Sequence, residues 1–262
     1  ASTRKETALN TLTDDQRDKL QQYLGGGTEN FRRMLDFIRY DIDGKRINAP
    51  KPEPPKKLER RPFFHIAEED SFKTYQEYLD WYKKTGRYKE NAATVCVLSG
   101  NGGGALEDLI GALEQKGMNV VAANGMWNLL PMFEQVKPDL VIYQPHGRLG
   151  EKAVELLQKY NIPLFCPIKV SQPYEEYLKD QRGMTGGMLS QSVTMPELDG
   201  GAVPFVLSAL YRNKRGLLEF RTIPDRLERF AELVRKTTDL KRKPNADKKI
   251  AIIYYGSIGK EA

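Results

Sequence analysis

Cysteine and histidine are scarce in this chain of 262 residues: Cys96 and Cys166 are its two thiols, His65 and His146 its two imidazoles. Each cysteine sits inside an apolar, strand-like run, which excludes a disulfide scaffold and a multi-cysteine zinc site. Both read as buried free thiols of a reducing compartment, so a cytoplasmic location is expected. Two histidines without ligand spacing do not make a zinc site either, and a metal held here needs carboxylates or another domain. No apolar run approaches the ~20 residues that cross a bilayer, and Ala1-Ser2-Thr3-Arg4 lacks the pattern of a signal peptide, so no membrane insertion is expected. The Walker phosphate pattern and any internal repeat are also missing, and ATP is not expected to bind. Without an initiator Met, and ending just past an apolar run, the chain reads as a piece of a longer protein.

What is present is ordinary globular material, 40% hydrophobic and 29% charged residues. The net charge of +6 comes from one segment, since Arg212 to Lys249 holds 13 Lys/Arg against 6 Asp/Glu. A solvated helix face explains it better than a nucleic-acid adaptor, because few aromatic residues, Tyr211 and Phe220 among them, are interleaved to stack on bases and no recognition motif accompanies them. No nucleic-acid partner is expected.

Residues 1–43 read as a helical region of a preceding domain. Thr13 and Gln16 make a capping-box start, and Phe31, Met34, Leu35 and Ile38 follow helical spacing. Prolines 50, 52, 54, 55 and 62 then mark residues 44–64 as a linker. A further helix, capped by Ser71 and carrying Phe72, Tyr75, Leu79 and Tyr82, ends at Gly86. From there Val95–Leu98, Asn119–Ala122, Leu140–Tyr143 and Pro163–Cys166 are continuous apolar runs separated by amphipathic segments. This alternation predicts a parallel sheet with helices on both faces: an α/β domain over 65–243, flavodoxin-like or Rossmann-like and doubly wound, with its core at 92–182. Val203–Leu210 and Leu217–Arg221 flank a hairpin turn, a helix runs from Asp225 to about Lys241, and residues 244–262 hold the first strand of a following α/β domain.

In such a sheet the ligand crevice lies at the carboxyl ends of the strands. Gly100-Asn101-Gly102-Gly103-Gly104-Ala105 follows the first strand and fits a phosphate-cradling pattern, with Asn101 a candidate ligand-binding residue. The second strand ends without the acidic residue that would hold a ribose, so a flexible glycine turn competes with that reading. After the third strand, Gln144-Pro145-His146-Gly147-Arg148 puts His146 and Arg148 in a loop where they could orient a substrate, and His146 could ligate a metal; a histidine that bonds backbone is the alternative. In Met195-Pro196-Glu197-Leu198-Asp199-Gly200-Gly201 the proline and glycines present two carboxylates, Glu197 and Asp199, from a turn. Carboxylates so placed can accept protons and receive a divalent ion, and a solvated acidic turn is the plain alternative.

The run Val193–Gly200 resembles the "(V/A)LPELDG" signature of the large subunits of cobaltochelatase and magnesium chelatase. Three further segments agree in order: Gly26-Gly27-Thr28-Glu29-Asn30-Phe31, Phe64-His65, and Pro224-Asp225-Arg226 leading through Lys243-Pro244-Asn245-Ala246-Asp247 to Ile252. The glycines at 102–104 and the stretch Ser257-Ile258-Gly259-Lys260 depart from that family's usual residues. The resemblance implies a piece of a subunit that binds a tetrapyrrole, corrin or porphyrin, and inserts a divalent metal, cobalt or magnesium, while separate ATPase subunits hydrolyse ATP. It implies Glu197 and Asp199 as catalytic residues, with Glu197 a metal candidate beside the His146 of the loop reading, and cobalt insertion into a corrin for cobalamin biosynthesis as the reaction. A haem- or porphyrin-handling member of the same family, and a non-catalytic flavodoxin-like module binding a small molecule or phosphate, are the alternatives.

Overall fold

A computed structural model of the chain describes residues 11–24, 27–48, 50–56, 61–99, 104–124, 129–144 and 146–253. Two compact units divide it, Ala1–Arg60 and Arg61–Ala262.

The first unit is a helix pair. Helix α1 (Asp14–Leu24) begins at the expected capping box: the Gln16 amide donates to Thr13 Oγ1 at 3.2 Å and the Thr13 amide to Gln16 Oε1 at 3.0 Å. Helix α2 (Gly27–Phe37) runs on through a π-helical turn, Ile38–Ile42, and the pair buries Leu20, Tyr23, Met34 and Phe37. Of the expected stripe on α2, Met34 is buried and Ile38 partly so, whereas Phe31 and Leu35 are exposed. The buried face turns instead through Asn30, whose side chain donates to Lys56 O at 2.7 Å and accepts from Lys56 N at 2.8 Å. Residues 50–56, expected in a linker, lie against the pair: Tyr23 Oη donates to Glu53 O and Arg33 to Pro54 O. Proline removes amide donors but leaves every carbonyl as an acceptor, so a proline-rich segment can be held by side chains alone.

The second unit is built on a six-stranded sheet. In chain order its strands are β1 (Phe63–Phe64), β2 (Thr94–Ser99), β3 (Asn119–Asn124), β4 (Leu140–Tyr143), β5 (Leu164–Phe165) and, after β6 of a second sheet, β7 (Gly201–Ala202). They lie in the order β1-β3-β2-β4-β5-β7, and all neighbours are parallel except β1 against β3. Counting the parallel strands by position in the chain gives 2-1-3-4-5, the flavodoxin-like order, with its topological switch beside β2. The four apolar runs are thus the parallel core strands that their alternation with amphipathic segments implied.

Period-two alternation divides each strand between the two faces. Val95, Val97, Val120, Ala122, Leu140 and Ile142 face α4 (Gly104–Gln115) and α10 (Pro224–Arg242). Cys96, Leu98, Val121, Ala123, Val141 and Tyr143 face α3 (Tyr75–Lys84), α5 (Leu129–Val136) and α6 (Glu151–Lys159). Helix α3 starts later than expected because Phe72 is engaged with Phe63 in a β-bridge, and Thr74 rather than Ser71 is its cap, accepting from the Glu77 amide at 3.2 Å.

Behind β1, His65 is buried among the rings of Tyr78, Trp81 and Tyr82. Its Nδ1 accepts the Ala67 amide, and its Nε2 bonds Glu114 of α4 at 3.1 Å. Tyr82 Oη also donates to Glu114, at 2.8 Å, and Arg87 pairs with it at 3.2 Å. Burial alone would raise the Glu114 pKa, but hydrogen bonds from His65 and Tyr82, with Arg87 nearby, hold it below the usual carboxylate range.

The second sheet has three strands, with β6 (Ile168–Pro173) parallel to β8 (Val206–Arg212) and β9 (Leu218–Thr222) antiparallel to β8 across the expected hairpin. Helix α7 (Tyr174–Lys179) follows β6. At the other end of the chain, Ile250, Ile252 and Ile253 are exposed and belong to no strand, and the rest of the segment expected to open a following domain lies outside the described residues.

Candidate functional site

The signature lies at the end of a helix. Residues Gly186–Leu189 (α8), a π-helical turn Ser190–Thr194 and Met195–Leu198 (α9) are continuous, since the residues at both joints keep right-handed helical angles. Pro196 explains the turn between them. It has no amide to give to the carbonyl four residues back, and its ring crowds that carbonyl, so the preceding turn widens and the Met195 amide reaches Ser190 O instead. The turn expected around Glu197 is therefore the last turn of a helix.

Helix α9 stops in a tight return. The amides of Asp199 and Gly200 donate to Pro196 O and Glu197 O, each at 3.0 Å, and Gly200 adopts φ +82°. Gly201 then enters β7 pressed against its surroundings, because a Cβ there would lie 2.7 Å from Pro196 O and 2.8 Å from Cys166 Sγ. Only glycine lets the strand and helix end approach so closely.

Across from this return is the loop after β4. The Tyr143 hydroxyl accepts the His146 amide at 3.1 Å, and Gly147, at φ +98°, donates its amide to Gln191 O in the π turn at 3.1 Å. Asp199 ties the two segments together: Oδ1 accepts from Arg148 Nε and Oδ2 from the Leu149 amide, both at 2.6 Å. The Asp199 side chain has no exposed surface, whereas 44% of the Arg148 side chain is exposed. The pair is thus a buried anion with a half-solvated cation, and the main-chain amide completes the carboxylate's partners.

The residues singled out in the sequence therefore separate. Asp199 and Arg148 are joined; Glu197 and His146 are exposed, and neither side chain has a polar partner among the described residues. Asn101 lies outside the described residues. Among the described residues, no group of three or more His, Cys, Asp or Glu side chains is placed to hold a metal ion. Cys166, under Gly201, is neutral: burial, with Asp199 adding to it, pushes its pKa up to about 12. Burial also raises the Tyr143 phenol.

Sequence reasoning missed one feature. A cleft of about 690 Å³ opens between the second sheet and the α8 end of the signature helix, lined by Ile168, Val170 and Val206 and by Met188, Leu189 and Val193. Gly183, Gly186 and Gly187 had concealed the helix, yet the spacing of Met188, Leu189, Ser192, Val193 and Pro196 is helical. Val193 and Glu197 are four residues apart, so the carboxylate stands one turn beyond the cleft wall, about 6 Å along the axis.

A flavodoxin-ordered sheet with helices on both faces defines a doubly wound α/β domain. The chain belongs to the CobN/magnesium chelatase family, whose model matches residues 20–262. Among similar proteins, an uncharacterized protein of Methanocaldococcus jannaschii is 25% identical over 94% of this chain and 22% of its own length. The magnesium-chelatase H protein of Chlorobaculum parvum is 23% identical over 89% of this chain and 20% of its own, and the chloroplastic magnesium-chelatase ChlH protein of Oryza sativa subsp. indica is 25% identical over 90% and 19%. In structure the chain is similar to the catalytic subunit of cobaltochelatase from Mycobacterium tuberculosis, with TM-score 0.53 and 19% identity, over 91% of this chain and 20% of that one. The chain thus spans about a fifth of the length of these relatives. Among the described residues no helix is long and apolar enough to cross a membrane.

Proposed function

We propose that the chain is part of the tetrapyrrole- and metal-binding large subunit of an ATP-dependent metal chelatase. The metal is a divalent cation handled as substrate, cobalt for a corrin ring or magnesium for a porphyrin, and ATP is hydrolysed by partner subunits. One observation supports a chemical role within it: in the Pro-Glu-Leu-Asp-Gly return, Asp199 is fully engaged in holding the loop while Glu197, two residues away, is left to solvent.

Metal insertion removes two pyrrole protons and strips water from the ion. A carboxylate with no internal partner can accept such a proton, and one committed to Arg148 and Leu149 cannot without breaking the clamp. Glu197 is therefore assigned the proton-accepting role, and Asp199 positions it. His146, on the loop that Asp199 holds, is assigned to ligand contact with Arg148 as its anchor.

The test is metal insertion by a reconstituted full-length subunit with its ATPase partners. Glu197→Gln keeps size and most hydrogen bonding, so the expected result is a loss of about two orders of magnitude in insertion rate with folding and ring binding retained. Insertion by a folded Glu197→Gln variant at the unmutated rate would remove Glu197 from the chemistry.

A further inference from the structure

The outer face of α10 carries a stripe of leucines and cations. At about 100° per residue, Arg229, Leu233, Lys236 and Leu240 fall within about 60° of one another, turned away from the buried side of Phe230, Ala231, Val234 and Thr238. Leu233 is 39% exposed and Leu240 56%, so two leucines a heptad apart meet water. Arg229 has no polar or charged partner among the described residues. Lys236 lies 3.7 Å from Glu232, but that carboxylate is already bonded by Arg235 at 2.7 Å and has Lys116 at 3.8 Å. One anion thus serves three cations, and the stripe keeps a surplus of positive charge.

At Leu233 the stripe borders a groove of about 370 Å³, lined by Phe205, Arg229, Phe230, Glu232, Leu233 and Lys236. Phe205 and Phe230 stack with ring centroids 6.3 Å apart and planes 18° apart, which gives the groove an aromatic wall. A strained turn holds Phe205 in place. Val203 adopts φ +59°, a left-handed conformation that a β-branched residue before a proline strongly disfavours, and its carbonyl accepts the Phe205 amide at 2.7 Å. Strain of this kind survives only where the surroundings enforce it, and it gathers at ligand clamps and switch regions.

We infer that the groove and stripe dock an acidic amphipathic helix of a separate partner chain. One apolar side chain enters the groove, others pack on Leu233 and Leu240, and carboxylates lie over Arg229 and Lys236. The inference stands apart from the chelatase reading and uses neither the signature helix nor its cleft. Three considerations choose this occupant. A second copy packed antiparallel, with Leu233 on Leu240, would bring Lys236 of each copy together near the two-fold axis, like charge beside like. A nucleic acid would meet the cations but leave both leucines uncovered, and it would find no fully exposed ring to stack on, since Phe230 is buried and Phe205 partly so. A permanent interface is more apolar than this, whereas a few apolar anchors ringed by charge suit a reversible contact.

Fluorescence anisotropy of a labelled synthetic peptide tests the inference. The probe is a helix of about four turns with leucines at i, i+4 and i+7 and glutamates beside them. The same peptide with lysine in place of glutamate, and a single-stranded DNA oligonucleotide, are the comparisons at physiological salt. The chain is expected to bind the acidic peptide saturably and both comparisons at least tenfold more weakly. Leu233→Asp and, separately, Arg229→Glu with Lys236→Glu should each weaken the acidic peptide tenfold or more, and the charge-reversed pair should gain affinity for the lysine peptide. Lys152→Glu with Lys159→Glu makes the same change of charge on α6, across the sheet, and should bind as the unmutated chain does. Circular dichroism checks each fold, and if Leu233→Asp unfolds, Leu233→Gln takes its place with the same expectation. No saturable binding of the acidic peptide, unchanged binding by either groove variant, or an equal loss in the α6 variant would overturn the inference. So would an oligonucleotide that binds as tightly and is lost in the same variants, which makes the face a nucleic-acid contact. A dimer in sedimentation that Leu233→Asp disperses would overturn it too, in favour of a contact between copies.

Discussion

Asp199 and Glu197 are separated by one residue and by almost all their access to water: Asp199 is 2% exposed. A buried carboxylate that accepts two short hydrogen bonds costs stability when its charge is removed, because Arg148 loses its partner and Leu149 keeps at best a weaker one. Asp199→Asn is expected to lower unfolding stability by about 1–3 kcal/mol, the lower part of that range reflecting a half-exposed Arg148. Urea denaturation reads this as a lower midpoint at unchanged slope. An unshifted midpoint would mean that the clamp holds nothing. The sequence displayed both acids as a pair, and their unlike roles were not legible there. What divides them is a contact 51 residues away, which no local pattern encodes.

At the scale of elements, Glu114 joins β1, α3 and α4 through His65, Tyr82 and Arg87. Its pKa is lowered in the folded chain, so the stabilisation is complete above the usual carboxylate range and is lost as pH falls through the lower folded value. Glu114→Gln should therefore lower stability at neutral pH by about 1–3 kcal/mol and flatten the acid limb of the stability profile. Thermal unfolding of both proteins from pH 7 to pH 3 measures it, and parallel profiles would refute the assignment. The longer elements were legible because burial on two faces leaves continuous apolar runs, as at Val95–Leu98 and Leu140–Tyr143. The short strands were not. Phe63–Phe64 and Gly201–Ala202 offer two residues each, too few to carry a period, and tertiary pairing alone makes them strands.

For the whole molecule, the two thiols lie on the same face of the sheet, within one core cluster. Burial lifts the Cys96 thiol well above its ordinary range and the Cys166 thiol to about 12. At pH 8 the thiolate of Cys166 is thereby reduced roughly a thousandfold or more, so a disulfide reagent such as DTNB should find both cysteines inert in the native chain and reactive on unfolding. Either thiol reacting at the rate of a free cysteine under native conditions would contradict the packing. The flavodoxin-like order itself was only half visible in the sequence. Alternating runs imply parallel strands, but the position of β2 between β3 and β4 follows from pairing across the sheet.

The widened turn at Ser190–Thr194 sets the direction in which the signature carboxylate points. A π turn absorbs about one residue more than an α turn, so losing one residue together with the widening would leave the direction of Glu197 nearly unchanged. Winding the same residues as an unbroken α-helix, by contrast, would rotate Glu197 by about 100° relative to Met188 and Leu189. Every residue type lining the cleft and forming the signature could remain, and the carboxylate would still point elsewhere. The interval between Leu189 and Glu197 thus acts as a phase setting, in which the winding of the turn matters as much as the identity of its residues.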